Sequence, residues 1–245
     1  MKTVLITGCS SGFGLETARY FLDHEWKVIA TMRTLRVEVL PRSERLSVLA
    51  LDVTDPESIR QAVDAAGPLD VLVNNAGIGM LSVFETTSME TVREVFETNT
   101  FGTMAVTQAV LPQFRHRKAG VIVNVTSSVT LKPLPMLSVY TASKAAVTAF
   151  TESLALELLQ FNVRVKLVIP GRAPGTRFAE NAQSRRIQSG PEAYSELAHS
   201  VFARMGQSSS AVTRPLDVAE AVWRAANDPS CPVRIAAGAD VLALA

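Results

Sequence analysis

The chain has 245 residues, of which 47% are hydrophobic and 19% charged, and its net charge is +1. That is enough apolar material for the core of one large α/β domain and too little for two. The near-neutral balance excludes a global field that would draw the chain to nucleic acid or to an anionic membrane. Cys9 and Cys231, with the scattered His24, His116 and His199, make neither a disulfide framework nor a metal-ligand spacing, so no metal is expected. The opening apolar run is too short for a signal peptide and no apolar stretch is long enough to span a bilayer, so the expectation is a cytoplasmic protein with no membrane span.

In chain order, a first apolar run at residues 3–6 passes directly into Thr7, Gly8, Cys9, Ser10, Ser11, Gly12, Phe13 and Gly14, followed by the helical run LETARYFLDH. Glycines let the backbone turn sharply and approach a pyrophosphate, and the helix start offers free N–H groups and a favourable dipole. An ordinary glycine-rich turn is the alternative; the position at the first strand-to-helix junction favours a nucleotide. Further short aliphatic runs at Val28–Thr31, Val48–Leu51, Val71–Val73, Val121–Val125 and Val163–Ile169 alternate with segments of helical period. Such alternation implies parallel strands joined by right-handed crossovers, a doubly wound α/β sheet in a single domain spanning residues 1–245.

The link Arg33–Arg45, with Pro41 and mixed polarity, leaves room for only a stunted helix. Long helices are predicted over Thr91–Gln113 and Ala142–Leu159. The basic run Arg115, His116, Arg117 and Lys118, just before Gly120, complements the end of a helix dipole and needs no anion partner. Beyond Gly171 the character changes: Pro174, Gly175, Gly190, Pro191 and Ser208–Ser210 punctuate one predicted helix, Glu192–Met205. An insertion of this kind, about 172–214, is expected to lie over the carboxyl ends of the strands as a substrate lid. A helix at Asp217–Ala226 and a strand at Val233–Ala236 close the chain.

Tyr140 and Lys144 stand four residues apart on the second long helix, so they project from one face. An unperturbed phenol is a sluggish acid or base near neutrality, and a neighbouring cation lowers its pKa toward the working range. On this reading Tyr140 is a proton donor tuned by Lys144. Taken alone, such a pair usually marks the exposed face of an ordinary helix, and the other motifs decide between the two readings.

Taken together, the Thr-Gly-x-x-x-Gly-x-Gly spacing at Thr7–Gly14, the run Asn74, Asn75, Ala76 and Gly77 after the fourth strand, Asp52 and Val53, and Pro170 and Gly171 resemble the short-chain dehydrogenase/reductase family. The type is the compact one, similar to the retinol and hydroxysteroid dehydrogenase branch, and the resemblance covers nearly the whole chain. It implies a catalytic tetrad of Asn99, Ser127, Tyr140 and Lys144, with Ser127 rather than Ser128 holding a substrate carbonyl oxygen and Asn99 keeping a water in line with the lysine. It also implies cofactor contacts by Gly8, Ser10, Ser11, Gly12, Phe13, Gly14, Asp52, Val53, Asn75, Ala76, Gly77, Tyr140, Lys144, Pro170 and Gly171. The family's threonine beyond the Pro-Gly turn falls here one place late, as Thr176, with Gly175 in its usual position.

At the end of the second strand, Met32 is followed by Arg33, where a carboxylate would select NAD(H). The expectation is NADP(H), with Arg33 on the 2′-phosphate; the alternative is a solvated surface arginine. Ile78, Met80, Leu81, Met136 and Leu137 suggest an apolar pocket for a bulky hydrophobic ketone or alcohol, or else core and interface positions. Lys132, beside Pro133 and Pro135, is expected to face water. The function implied is hydride transfer between NADP(H) and a small-molecule carbonyl or alcohol, by a homodimer or homotetramer built on the two long helices; the rival is a catalytically silent NADP(H) sensor.

Overall fold

The structure is a computed structural model that describes residues 1–174, 191–206 and 211–244. Seven strands, β1 (Thr3–Ile6), β2 (Lys27–Met32), β3 (Leu46–Ala50), β4 (Val71–Asn74), β5 (Gly120–Val125), β6 (Val163–Pro170) and β7 (Arg234–Ala237), form one sheet in the order β3-β2-β1-β4-β5-β6-β7. Every pairing is parallel. A parallel sheet is covered on both faces, which is why its strands read as continuous apolar runs. Within β1, Val4 and Ile6 face one helical layer and Leu5 the other, following the two-residue period of a strand.

The first layer is made by α1 (Gly12–Asp23) and the helix Pro215–Asn227, here α7. Phe21 is fully buried between them, with its ring centroid 5.0 Å from those of both Trp26 and Trp223 in edge-on contact. The second layer holds α2 (Pro56–Ala66), α4 (Gly102–Arg117) and α5 (Ser138–Leu158), whose Ile59, Phe114 and Leu154 close over Leu72 and Ile122. Each such side chain, taken fully out of water, contributes about 1.5–3 kcal/mol. The predicted stunted crossover between β2 and β3 is a single 3-10 turn at Val37–Val39.

The predicted helix Thr91–Gln113 is interrupted. It begins as α3 (Met89–Phe96), capped by the Ser88 hydroxyl accepting from Thr91 N–H at 3.1 Å, and widens into a π turn at Glu97–Phe101 before α4. The Thr103 hydroxyl donates to the Asn99 carbonyl at 2.9 Å in this widened turn. The basic run does lie at the end of α4, but the left-handed terminating residue is Lys118 (φ 50°) and Gly120 already belongs to β5. Of the predicted lid, the described residues include a 3-10 turn at Glu192–Tyr194 leading into α6 (Ser195–Gly206). Among the described residues no helix is long and apolar enough to cross a membrane, and no cluster of three His, Cys, Asp or Glu could hold a metal.

Candidate active site

Strand order reverses between β1 and β4, and the segments that follow these two strands meet there. Gly8 has φ +75°, and a Cβ on it would stand 2.9 Å from the Ala76 Cα, so both conformation and space require glycine. Asn75 fastens the two segments, its Nδ2 donating to the Thr7 carbonyl at 2.9 Å and the Gly8 carbonyl at 3.3 Å. The Thr7 hydroxyl in turn accepts from the amides of Asn75 at 3.0 Å and Ala76 at 2.9 Å. Here α1 begins with Ser11 extended, no side-chain cap, and no acidic residue in its first turn. An uncapped helix start without competing carboxylates, framed by Gly8, Ser10, Gly12, Phe13 and Gly14, fits an anionic group such as a pyrophosphate. Cys9 is fully buried, and burial pushes its thiol up to about 12, against a partial lowering by the Thr31 main chain.

Further along the same edge, Arg33 is exposed just past β2. Partial burial works against ionisation of Asp52, but bonds from the Thr54 amide and hydroxyl, at 2.9 and 2.7 Å, and the charge of Arg33 outweigh it and hold the carboxyl below its usual range. The side chain of Val53 is turned into the core, where it packs against Gly102 of α4.

A second cluster lies past β5. Ser127 is extended, and its Oγ accepts from the Val129 amide at 3.5 Å and hydrogen-bonds the phenol of Tyr140; Ser128 belongs to the 3-10 turn Ser128–Thr130. Tyr140 and Lys144 are buried on α5, at 7% and 5% exposure. The Lys144 Nζ donates to the Val125 carbonyl at 3.1 Å. A Cβ on Gly77 would lie 3.1 Å from Asn99 Oδ1 and 3.3 Å from Lys144 Nζ, so the segment after β4 passes directly by both. Asn99 is fully buried: its Oδ1 accepts from Ile78 N–H at 2.8 Å, and its Nδ2 donates to the Ile78 carbonyl and the Ser143 hydroxyl, both at 3.0 Å. The four predicted catalytic residues are thus brought to one place.

The electrostatics correct one expectation. Lys144 does not bring the phenol down in this state; burial pushes Tyr140 up to about 12, offset only in part by the Ser127 bond, and burial brings Lys144 down to about 8. Desolvation disfavours the charged form of each.

At the end of β6, Gly171 N–H donates to the Thr213 hydroxyl at 2.8 Å and Arg172 N–H to Asp240 Oδ2 at 2.7 Å, while Thr213 and Asp240 join at 2.6 Å. A side chain on Gly171 would run into the Asp240 carboxylate. These two partners escaped sequence reading because they lie 42 and 68 residues from the turn they hold. Thr176 and Gly175 lie outside the described residues.

A cavity of about 450 Å³ opens beside the start of α5, lined by Ser82, Val83, Phe84, Glu85, Met136, Ser138, Tyr194 and Leu197. Of the predicted pocket residues only Met136 lines it. Met80 and Leu81 are buried, and Ile78 packs with Met80, Val95 and Val139. Lys132 faces solvent. Glu85 and Tyr194 are further residues that the sequence did not single out.

Fold and cradle together define a Rossmann-type α/β protein with a glycine-rich turn at its switch point. Comparison with known proteins narrows this. The pattern of the short chain dehydrogenases matches residues 2–186, more than half of the chain, and the protein belongs to that family. It is similar to human retinol dehydrogenase 8, 36% identical over 256 residues that cover 95% of this chain and 80% of the relative. Among solved structures it resembles a short-chain dehydrogenase from Streptomyces avermitilis, with a TM-score of 0.84, 32% identity, and 99% of this chain and 90% of that one covered. It also resembles the closed form of serine dehydrogenase complexed with NADP+, at a TM-score of 0.80 and 29% identity over 96% of this chain and 94% of that one.

Proposed function

We propose that this short-chain dehydrogenase uses NADP(H) to interconvert a carbonyl and an alcohol on a hydrophobic small molecule. The observation that carries the reading is the buried phenol of Tyr140, bonded to Ser127 and one helical turn from the buried amine of Lys144. With its pKa up near 12 the phenol keeps its proton at neutral pH, so it is available to donate to a carbonyl oxygen. Ser127 holds that oxygen, since its hydroxyl already meets the phenol. Lys144 brings a positive charge that favours transfer once the site is closed from water, and Asn99 fixes the Gly77–Ile78 main chain beside that amine. The nicotinamide, when bound, supplies or accepts the hydride. The protein's own part is positioning and electrostatics.

The cradle after β1 and the segment Asn75–Gly77 would hold the dinucleotide, with Asp52 and the main chain of Val53 toward the adenine and Pro170 and Gly171 toward the nicotinamide. Arg33, exposed at the end of β2, supports a 2′-phosphate and hence NADP(H), as does the NADP+ complexed with the similar serine dehydrogenase. The apolar cavity walls, and likeness to a relative named for retinol, support a hydrophobic substrate. Leu156 and Leu159, at 73% and 71% exposure on and just past α5, support assembly into a homodimer or homotetramer, which equilibrium sedimentation reads directly.

The test is NADPH oxidation, followed by absorbance, against ketones, aldehydes and quinones of graded size. Turnover is expected for at least one class, with loss of about 100-fold or more in Tyr140→Phe and cofactor affinity retained. Tight NADPH binding without turnover across the panel, or turnover that survives Tyr140→Phe, overturns the reading.

A further inference from the structure

The cavity at the start of α5 has features that hydride transfer alone does not require. One of its lining residues is strained: Met136 has φ +64°, a left-handed conformation that side-chain-bearing residues rarely adopt. The Met136 carbonyl accepts from Ser82 N–H at 2.9 Å, which pins the loop before Tyr140 to the loop after β4. Between these loops the walls are apolar, formed by Val83, Phe84, Met136 and Leu197, with Phe84 59% exposed. At the outer end the Tyr194 hydroxyl donates to Glu85 Oε2 at 2.7 Å, joining segments 109 residues apart in sequence. The Tyr194 hydroxyl thus engages the Glu85 carboxylate at the cavity's outer end.

We infer that Tyr194 and Glu85 determine substrate specificity: their bond holds the Glu192–Ala203 segment across the apolar cavity, whose walls bind the non-reacting alkyl portion of a long-chain carbonyl substrate. The inference rests on the reading of Tyr140 as proton donor. It follows from continuity along the chain, since Met136 and Ser138 line the cavity four and two residues before Tyr140 and so place it at the N-terminal end of the helix that carries the phenol. A volume of about 450 Å³ lies within the usual range for small-molecule sites, about 300–1,000 Å³. Among the described residues the lining holds no cationic side chain, which argues against a substrate whose tail carries a carboxylate or phosphate.

Binding is read separately from turnover, by calorimetric titration of 2-butanone and 2-decanone into the NADP-loaded Tyr140→Phe protein, alone and combined with Tyr194→Phe, Glu85→Ala or Glu85→Gln. Decanone is expected to bind more tightly than butanone, by up to about fourfold for each methylene fully covered. Tyr194→Phe and Glu85→Ala are expected to weaken decanone by about 3–10-fold and to leave butanone unchanged, while Glu85→Gln, which keeps an acceptor oxygen, stays near the parent. Decanone affinity indifferent to both changes overturns the inference. So does an equal loss for butanone and decanone, which would mark general damage to the site. Failure of the catalytic reading shows elsewhere, as ketone turnover that survives Tyr140→Phe while decanone binding still depends on Tyr194.

Discussion

Replacing Lys144 by methionine should stabilise the cofactor-free protein while removing its activity. The amine is buried at 5% exposure, and desolvation brings it from an ordinary 10.5 down to about 8. Holding an ammonium there costs roughly 3 kcal/mol of folding stability at neutral pH, because the unfolded chain keeps its proton at no such cost. Methionine is similar in length and carries no charge. It gives up the bond to the Val125 carbonyl, worth about 1 kcal/mol, so the net gain is about 1–2 kcal/mol. In a chain of this size that raises the melting temperature by roughly 2–8 °C.

The sign of the pH dependence follows from the lowered amine. Below about 8 the amine is charged in both states and the whole penalty applies. Between about 8 and 10.5 the folded protein has released a proton that the unfolded chain still holds, so the parent gains stability as pH rises and the advantage of the variant shrinks. Above 10.5 the penalty is gone, and the variant is the weaker protein by the lost hydrogen bond. Urea denaturation of parent and Lys144→Met near neutrality and near pH 10, followed by tryptophan fluorescence, measures both points. A variant less stable than the parent near neutrality, or a difference independent of pH, refutes the reasoning.

Asn99→Ala should cost about 2–4 kcal/mol in the same denaturation assay, because it strands the partly buried Ile78 amide and carbonyl beside a cavity at the fully buried Asn99 position. Arg33→Ala should raise the KM for NADPH by about 10–100-fold, the worth of one charge-assisted contact, and leave NADH nearly unchanged; equal effects on the two cofactors would remove Arg33 from the phosphate site. Gly8→Ala should lose about 1–3 kcal/mol of stability, since it combines φ +75° with main-chain contact at Ala76, and should weaken cofactor binding measured by fluorescence quenching.

Much of the fold is local information and was therefore legible. Val71–Val73 and Val121–Val125 announce buried parallel strands through short runs rich in aliphatic residues, and the strands observed there extend them by a residue at one end. The last strand was expected at Val233–Ala236 and lies at Arg234–Ala237, a shift of one residue at each end. The interruption of the helix at Glu97–Phe101 was not legible, because it accompanies a bond between Thr103 and the Asn99 carbonyl and the attachment of Asn99 to Ile78, a partner 21 residues away.

The sequence by itself determined the α/β alternation and the glycine turn, since periodicity and permitted backbone angles act over a few neighbouring residues, while Asn99, Ser127, Tyr140 and Lys144 were picked out by resemblance to a known family. Only the tertiary structure decided how those groups are charged and what surrounds them. It buried Tyr140 and Lys144 deeply enough for desolvation to push the phenol up and the amine down, and moved Met80 and Leu81 into the core. It also brought Asp240 to Arg172 and Tyr194 to Glu85. Desolvation and long-range contacts depend on which elements cover a residue, and strand order, not chain order, sets that.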